Sequence, residues 1–239
     1  MKIFAHRGYS GKYPENTMLA FKKAYESGAY GIELDVQETL DGEIVIIHDE
    51  TLDRTTTGSG YVKDHTLSEL LQLEASAAMH EEYPGMRIPT LKEYCEWVST
   101  TPLVTNIELK TSIIYYKNIE EKVAEMIKEY GLEDRVIFSS FNHLSVVKMK
   151  QLLPECPAGA LVELIDLANA GPYCKNLGFE YYHPDVDLLS KETVENCKEN
   201  GISINVWTVN DIKVFNKMQE WNIDGVITNY PLEFVKLSK

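Results

Sequence analysis

The sequence predicts a (β/α)8 barrel, and three observations carry that prediction. Short aliphatic, β-branched runs alternate with amphipathic helical stretches, and eight βα units fit within 239 residues once one antiparallel return is set aside. Polar and charged side chains gather at the C-terminal ends of those runs, where barrel enzymes build their sites. No glycine-rich phosphate loop follows the first strand, which disfavours a doubly wound sheet. The expected organisation is a single barrel domain over residues 1–239, with residues 49–89 as an insertion within it.

Taken in order, residues 2–5 read as a short buried strand ending at His6-Arg7-Gly8. A polar loop leads to a helix over 16–27, with Asn16 as N-cap, Ala20, Phe21, Ala24 and Tyr25 on its apolar face, and Gly28 as its stop. Residues 31–38 and 44–48 form a strand and its return. Asp41-Gly42 favours a two-residue turn, which makes Leu40 face Glu43 and Asp35 face His48. Periodicity weakens from 49 to 89, apart from a short helix near 68–73, and so long a structureless loop is unusual inside a compact domain.

Regular alternation then resumes. Thr90 and Glu93 open a capping box for a helix reaching 98. Strands follow at 103–109, 136–139, 159–163, 181–183, 203–208 and 225–228. Helices fall at 119–130, 143–152, 166–175, 190–200 and 211–221, the fourth capped by Ser190.

The composition is that of a globular chain, with 44% apolar and 25% charged residues. A net charge of −14 argues against a nucleic-acid partner but leaves room for a small phosphate held by local cations. Cys95, Cys156, Cys174 and Cys197 form no CxxC pair, so free thiols in a reducing compartment are expected rather than a zinc site. No apolar run approaches the roughly 18 residues needed to cross a bilayer, and residues 1–5 are too short for a signal-peptide core. A cytoplasmic enzyme without stable membrane insertion is expected. Its oligomeric state is open, a dimer being compatible.

Three carboxylates stand out. Glu33 and Asp35 project from one face of one strand, and Glu108 ends a later strand reading Asn106-Ile107-Glu108-Leu109-Lys110. Carboxylates flanked by apolar residues are costly to bury without a counter-charge, and hard oxygen ligands suit Mg²⁺, Ca²⁺ or Mn²⁺. His6 and His48 sit at strand ends near these acids, and two imidazoles can serve as base and acid in one cycle. Of His65, His80, His143 and His183, only His183, before Pro184, is placed to line the mouth. Arg7 and Lys110 can clamp a phosphate or neutralise the acids. Trp207 is either core or a platform at the mouth. Glu15 is first a helix-start residue, although it lies near Arg7.

These motifs together resemble the glycerophosphodiester phosphodiesterase family, of the small bacterial cytoplasmic type. The resemblance rests on His6-Arg7-Gly8, Pro14-Glu15-Asn16-Thr17, Glu33-x-Asp35-Val36, His48-Asp49, Leu52-Asp53-Arg54-Thr55-Thr56, Ile88-Pro89-Thr90-Leu91, Ile107-Glu108-Leu109-Lys110, Val206-Trp207-Thr208 and Asp224 to Pro231. It implies a barrel of the phosphatidylinositol-phospholipase-C-like type with an insertion after His48-Asp49. It also implies a divalent metal on Glu33, Asp35 and Glu108, His6 and His48 as the acid–base pair, and cleavage of small glycerophosphodiesters to glycerol 3-phosphate and an alcohol. The last motif more often carries Asp where Asn229 stands, a difference expected to matter little.

Three rival readings stand beside this one. The first is the same chemistry on a lysophospholipid, with Tyr61, Tyr83, Tyr115 and Tyr116 as an apolar rim. The second is a metal–enolate lyase or isomerase, less suited to two facing histidines. The third is a non-catalytic binding protein.

Overall fold

In the computed structural model, which describes residues 1–76, 79 and 81–238, eight parallel strands close into a barrel. His80 lies outside the described residues. The barrel strands are β1 (Lys2–His6), β2 (Gly31–Glu38), β4 (Val104–Leu109), β5 (Val136–Ser140), β6 (Ala158–Val162), β7 (Tyr181–Pro184), β8 (Ser203–Val206) and β9 (Gly225–Thr228). Their order around the barrel is β1-β9-β8-β7-β6-β5-β4-β2, closed by the β1–β2 pairing. The remaining strand, β3 (Ile44–Ile46), runs antiparallel to the end of β2.

The helices are α1 (Met18–Glu26), α2 (Leu67–Leu70), α3 (Leu91–Val98), α4 (Ile119–Glu129), α5 (His143–Leu152), α6 (Ala170–Leu177), α7 (Lys191–Glu199), α8 (Ile212–Glu220) and α9 (Pro231–Leu237). They wrap the barrel and bury its outer face in two large apolar clusters. One contains Phe21, Leu34, Tyr94, Ile107 and Phe138, and the other Tyr182, Ile204, Phe215 and Phe234. Phe4, Ile137 and Ile227 form a small apolar plug inside the barrel. Residues after β3 pack around Val45, Ile47, Leu52, Val62, Leu70 and Ile88. All four cysteines are buried and free. No helix among the described residues is long and apolar enough to cross a membrane.

The two edges of β2 explain why the polar residues meet. Its first half pairs with β1, Glu33 facing His6, and its second half pairs with β3 along the same edge. β1 runs up that edge and β3 runs down it, so both chains leave the sheet near Asp35. On the other edge, Asp35 faces Glu108 of β4.

Several expectations change in detail. The hairpin loop has three residues, not two: Thr39 N–H donates to Glu43 O at 2.9 Å, and Gly42 takes the left-handed φ of +86° that closes such loops. Val36 therefore faces Ile46, and the residue opposite Asp35 is Ile47, whose N–H donates to Asp35 O at 3.0 Å. His48 reaches the site because the chain bends away after that bond. The α1 cap is Thr17, whose hydroxyl accepts from Ala20 N–H. The Asn16 amide is used elsewhere. Helix α6 starts at Ala170 rather than 166, because the Asp166 carboxylate accepts from the Tyr182 and Thr193 hydroxyls. Helix α9 was not foreseen, although proline at its first position and the apolar Phe234 and Val235 mark it.

Candidate active site

The strand ends surround a cavity of about 510 Å³ lined by His6, Arg7, Glu33, His48, Glu108, Lys110 and Trp207, with Phe141, Leu161 and Ile227 among the apolar walls. The sequence-predicted metal ligands converge at its wall, which Glu33 and Glu108 line and Asp35 does not. Glu33, Asp35 and Glu108 are buried and each offers an oxygen lying within 4.8 Å of the others. Packing three carboxylates together out of water shifts their protonation equilibria. Burial, then Asp35 and Glu108, push Glu33 well above the usual carboxylate range. Burial and Asp35 push Glu108 up to about 7. For Asp35, burial is outweighed by Arg7, His48, Lys110 and a hydrogen bond from Asn16, so its carboxyl sits below the usual range.

A divalent cation fits this set. The donors are hard oxygens, the cluster lacks enough positive charge to keep all three ionised, and Asp35 Oδ1 is buried with no hydrogen-bond partner among the described residues.

The cations are wired into the same cluster. Arg7 adopts φ +54°, uncommon for a non-glycine residue. That turn is secured by Arg7 N–H donating to Glu33 Oε2 at 3.1 Å and by Asn16 N–H donating to Arg7 O at 2.9 Å. The Arg7 guanidinium binds Glu15 at 2.9 Å and approaches Asp35 at 3.5 Å. Lys110 Nζ lies 3.0 Å from Glu108 and donates to His48 Nε2 at 3.2 Å. Glu15 thus belongs to the ionic network more than to the helix start.

Both histidines point the same nitrogen into the cavity. His6 Nδ1 donates to Asn229 Oδ1 at 2.7 Å, leaving Nε2 3.9 Å from Glu33. Burial and Arg7 lower its pKa to about 4. His48 Nδ1 donates to Asp49 Oδ1 at 2.6 Å, leaving Nε2 toward Lys110. In each ring the second nitrogen's partner fixes the tautomer.

Trp207 lines the cavity, donates from Nε1 to His183 O at 2.9 Å and meets Phe141 edge-on. It is a mouth residue. His183 itself is not: it is fully buried inside the barrel, where Asn205 Nδ2 donates to its Nε2. A Cβ on Gly159 would lie only 2.7 Å from that ring, so glycine makes the room.

Of the four proposed rim tyrosines, only Tyr61 and Tyr115 are exposed. Tyr116 is buried and donates to Gln37, and Tyr83 packs on Tyr13.

Four polar residues with roles here were missed from sequence. Asn16 donates from Nδ2 to Asp35 Oδ2 at 2.8 Å, which its position before a helix disguised. Asn229 orients His6 through its side-chain oxygen, an acceptor that Asp would also supply. Asp49 and Arg54 stood in quoted motifs without a role.

The glycerophosphoryl diester phosphodiesterase family model matches residues 6–233. A glycerophosphodiester phosphodiesterase of Caldanaerobacter subterraneus is 45% identical, covering 98% of this chain and 96% of its own. One from Bacillus altitudinis is 43% identical, covering 99% and 97%. Among solved structures, an Oleispira antarctica phosphodiesterase in complex with the product sn-glycerol-3-phosphate superposes with a TM-score of 0.89 at 30% identity, covering 100% of this chain and 97% of its own. A Thermotoga maritima glycerophosphodiester phosphodiesterase does so with 0.80 at 33%, covering 98% and 97%. With a match over nearly its whole length and a barrel mouth built as described, the chain belongs to the glycerophosphoryl diester phosphodiesterase family.

Proposed function

We propose that this chain hydrolyses small glycerophosphodiesters, such as glycerophosphocholine or glycerophosphoethanolamine, to glycerol 3-phosphate and an alcohol, using His6 and His48 as the proton-transfer pair. The observation that carries the reading is the pair of imidazoles, both anchored outward through Nδ1 and both presenting Nε2 to a cavity that Glu33 and Glu108 also line. We take the chain as one barrel domain, residues 1–239, with 49–89 inserted, and as a cytoplasmic enzyme.

Glu33, Asp35 and Glu108 would hold a hard divalent cation, Mg²⁺, Ca²⁺ or Mn²⁺, which supplies Lewis-acid polarisation of a phosphoryl oxygen when bound. Arg7 and Lys110 border the cavity and offset charge that develops at phosphorus. His6 has a neutral orienting partner and an adjacent guanidinium, both of which favour the uncharged ring of a general base. It takes the proton of the attacking hydroxyl, whether of water or of the substrate's own glycerol. His48 has the Asp49 carboxylate behind it, which balances an imidazolium; once protonated at Nε2, it gives that proton to the departing alcohol oxygen and is left as the neutral ring. Trp207 provides an apolar wall against the substrate.

The test is a panel of head groups assayed for glycerol 3-phosphate release with each of the three cations in parallel. Release that depends on a cation is expected; no release with any of them overturns the reading.

A second reading has its own observation. Ile113 (75% exposed) and Leu164 (85% exposed) line the cavity from the loops after β4 and β6, with Tyr115 and Ile165 exposed beside them. Leu164 is held at φ +68° by Ile165 N–H donating to Glu163 O at 2.8 Å, the hydrogen bond of a strained γ-turn. Such a rim suits a monoacylated diester, a lysophospholipid. Choline release from lysophosphatidylcholine against glycerophosphocholine separates the two readings. Membership of a family of enzymes leaves nothing to favour the lyase or the scaffold.

A further inference from the structure

The geometry points to Arg54 as a positioning residue that sets the orientation of His48 and joins it to Arg7 on the opposite side of the site. This inference rests on His48 being a proton-transfer residue, as proposed above.

Arg54 makes two forked ion pairs at once. Its Nε and Nη2 donate to the two oxygens of Asp49 at 2.7 and 2.9 Å, and its Nη1 and Nη2 donate to the two oxygens of Glu15 at 2.9 and 2.8 Å. Only a planar guanidinium can hold two carboxylates in this way. The outer ends of both pairs reach the site. Asp49 accepts from His48 Nδ1, and Glu15 accepts from Arg7 Nη1. The result is an unbroken chain, His48–Asp49–Arg54–Glu15–Arg7, ending against Asp35.

Neither Arg54 nor Asp49 lines the cavity. Arg54 therefore acts through Asp49 and Glu15.

The backbone that carries Arg54 is built to hold it still. Leu52 is fully buried and its N–H donates to Gly60 O, while the Thr56 N–H and hydroxyl both donate to Leu52 O. Arg54 lies in the turn these bonds close. His48, by contrast, has left the β3 ladder: the Gln37 amide of β2 donates to the His48 and Asp49 carbonyls and holds the backbone, but not the ring. Its direction depends on Asp49 on one side and Lys110 on the other. Without Arg54, the Asp49 carboxylate loses two of its three hydrogen bonds and is free to turn toward solvent, and the imidazole loses its Nδ1 acceptor.

The experiment compares Arg54→Ala, Arg54→Lys, Asp49→Ala and Arg54→Ala/Asp49→Ala by steady-state kinetics on glycerophosphoethanolamine. Long-range ¹H–¹⁵N spectra of the imidazoles are recorded in parallel, the His48 signals being assigned with His48→Gln. Arg54→Ala is expected to lower kcat about 10- to 30-fold with KM changed less than threefold, since a side chain outside the cavity acts on a step after binding. The His48 spectrum should move from the Nδ1–H tautomer toward a mixture. Arg54→Lys, which keeps the charge but not the double fork, should fall between. The double variant should be no slower than Asp49→Ala, because residues acting through one contact are not additive.

A kcat for Arg54→Ala within twofold of the parent overturns the inference. So does a lowered kcat with an unchanged His48 spectrum and additive losses. If Arg54→Ala does not fold, Arg54→Lys carries the same comparison. Loss of turnover in the parent itself would instead count against the proposed function, so the two failures are distinguishable.

Discussion

The two histidines do the same geometric thing by different means. His6 ends a barrel strand, is half-buried, and is oriented by a neutral amide, Asn229, from the neighbouring β9 edge. His48 lies beyond the last paired residue of β3, is more open to solvent, and is oriented by an ionised carboxylate that is itself gripped by Arg54. One half of the site is placed by sheet register and the other by ion pairs. Register is rigid and hard to tune, whereas an ionic chain can be loosened by one substitution. The His48 half is therefore where positioning residues outside the cavity should matter most.

The largest effect removes what both halves share. Dialysis against EDTA should reduce activity to background, with recovery on adding back Mg²⁺, Ca²⁺ or Mn²⁺. Calorimetry should show cation binding weakened severely in Asp35→Asn, whose buried carboxylate lies within 4.8 Å of those of Glu33 and Glu108. Undiminished turnover after dialysis would remove the three-carboxylate metal site. Next come the histidines themselves. His6→Ala and His48→Ala should each lose about 10²- to 10⁴-fold in kcat, and near-normal turnover in either would withdraw that ring from the mechanism.

The orienting partners should separate the halves. Asp49→Asn keeps the shape but removes the charge that balances an imidazolium, and about a 10²-fold loss in kcat is expected. Asn229→Ala removes only a neutral acceptor, with about a tenfold loss expected, while Asn229→Asp restores an acceptor and stays close to the parent. Equal losses at Asp49 and Asn229 would mean that charge behind the ring is irrelevant, and the contrast between the halves would collapse.

The same contrast governs what could be read from the sequence. The barrel, the facing of Glu33 and Asp35, and their meeting with Glu108 follow from period-two strands and counted βα units, which are local signals. The hairpin register was off by one because Asp-Gly closes both two- and three-residue loops, and only Thr39 pairing with Glu43 tells them apart. Asn16 and Glu15 looked like helix-start residues because helix caps and site polar groups draw on the same residue types. Their contacts, to Asp35 and to Arg54 39 positions away, are tertiary, and no periodicity announces them. The resemblance supplied the motif containing Arg54 but not its double fork. His183 was read as a mouth residue because it precedes a proline at a strand end, and the reading failed because its side chain lies on the inner face with Gly159 beneath it.

That buried histidine gives the smallest and cleanest test, a control ring with neither half's charged neighbours. Burial is the sole cause lowering the His183 pKa from its ordinary 6.5 to about 3. Between those values the unfolded chain binds a proton at this position and the native protein does not, so stability must rise with pH there. The contribution is complete above about pH 6.5 and is lost as pH falls toward 3. The slope approaches about 1.4 kcal/mol per pH unit in the middle of that window. His183→Asn should be less stable than the parent at pH 7, by about 1–2 kcal/mol for the altered packing. Its stability should then fall less steeply on acidification, so urea midpoints of the two proteins converge between pH 6 and 4.5. Parallel midpoints across that range would mean that the ring takes up a proton inside the barrel. The desolvation that holds the buried ring neutral would then be absent.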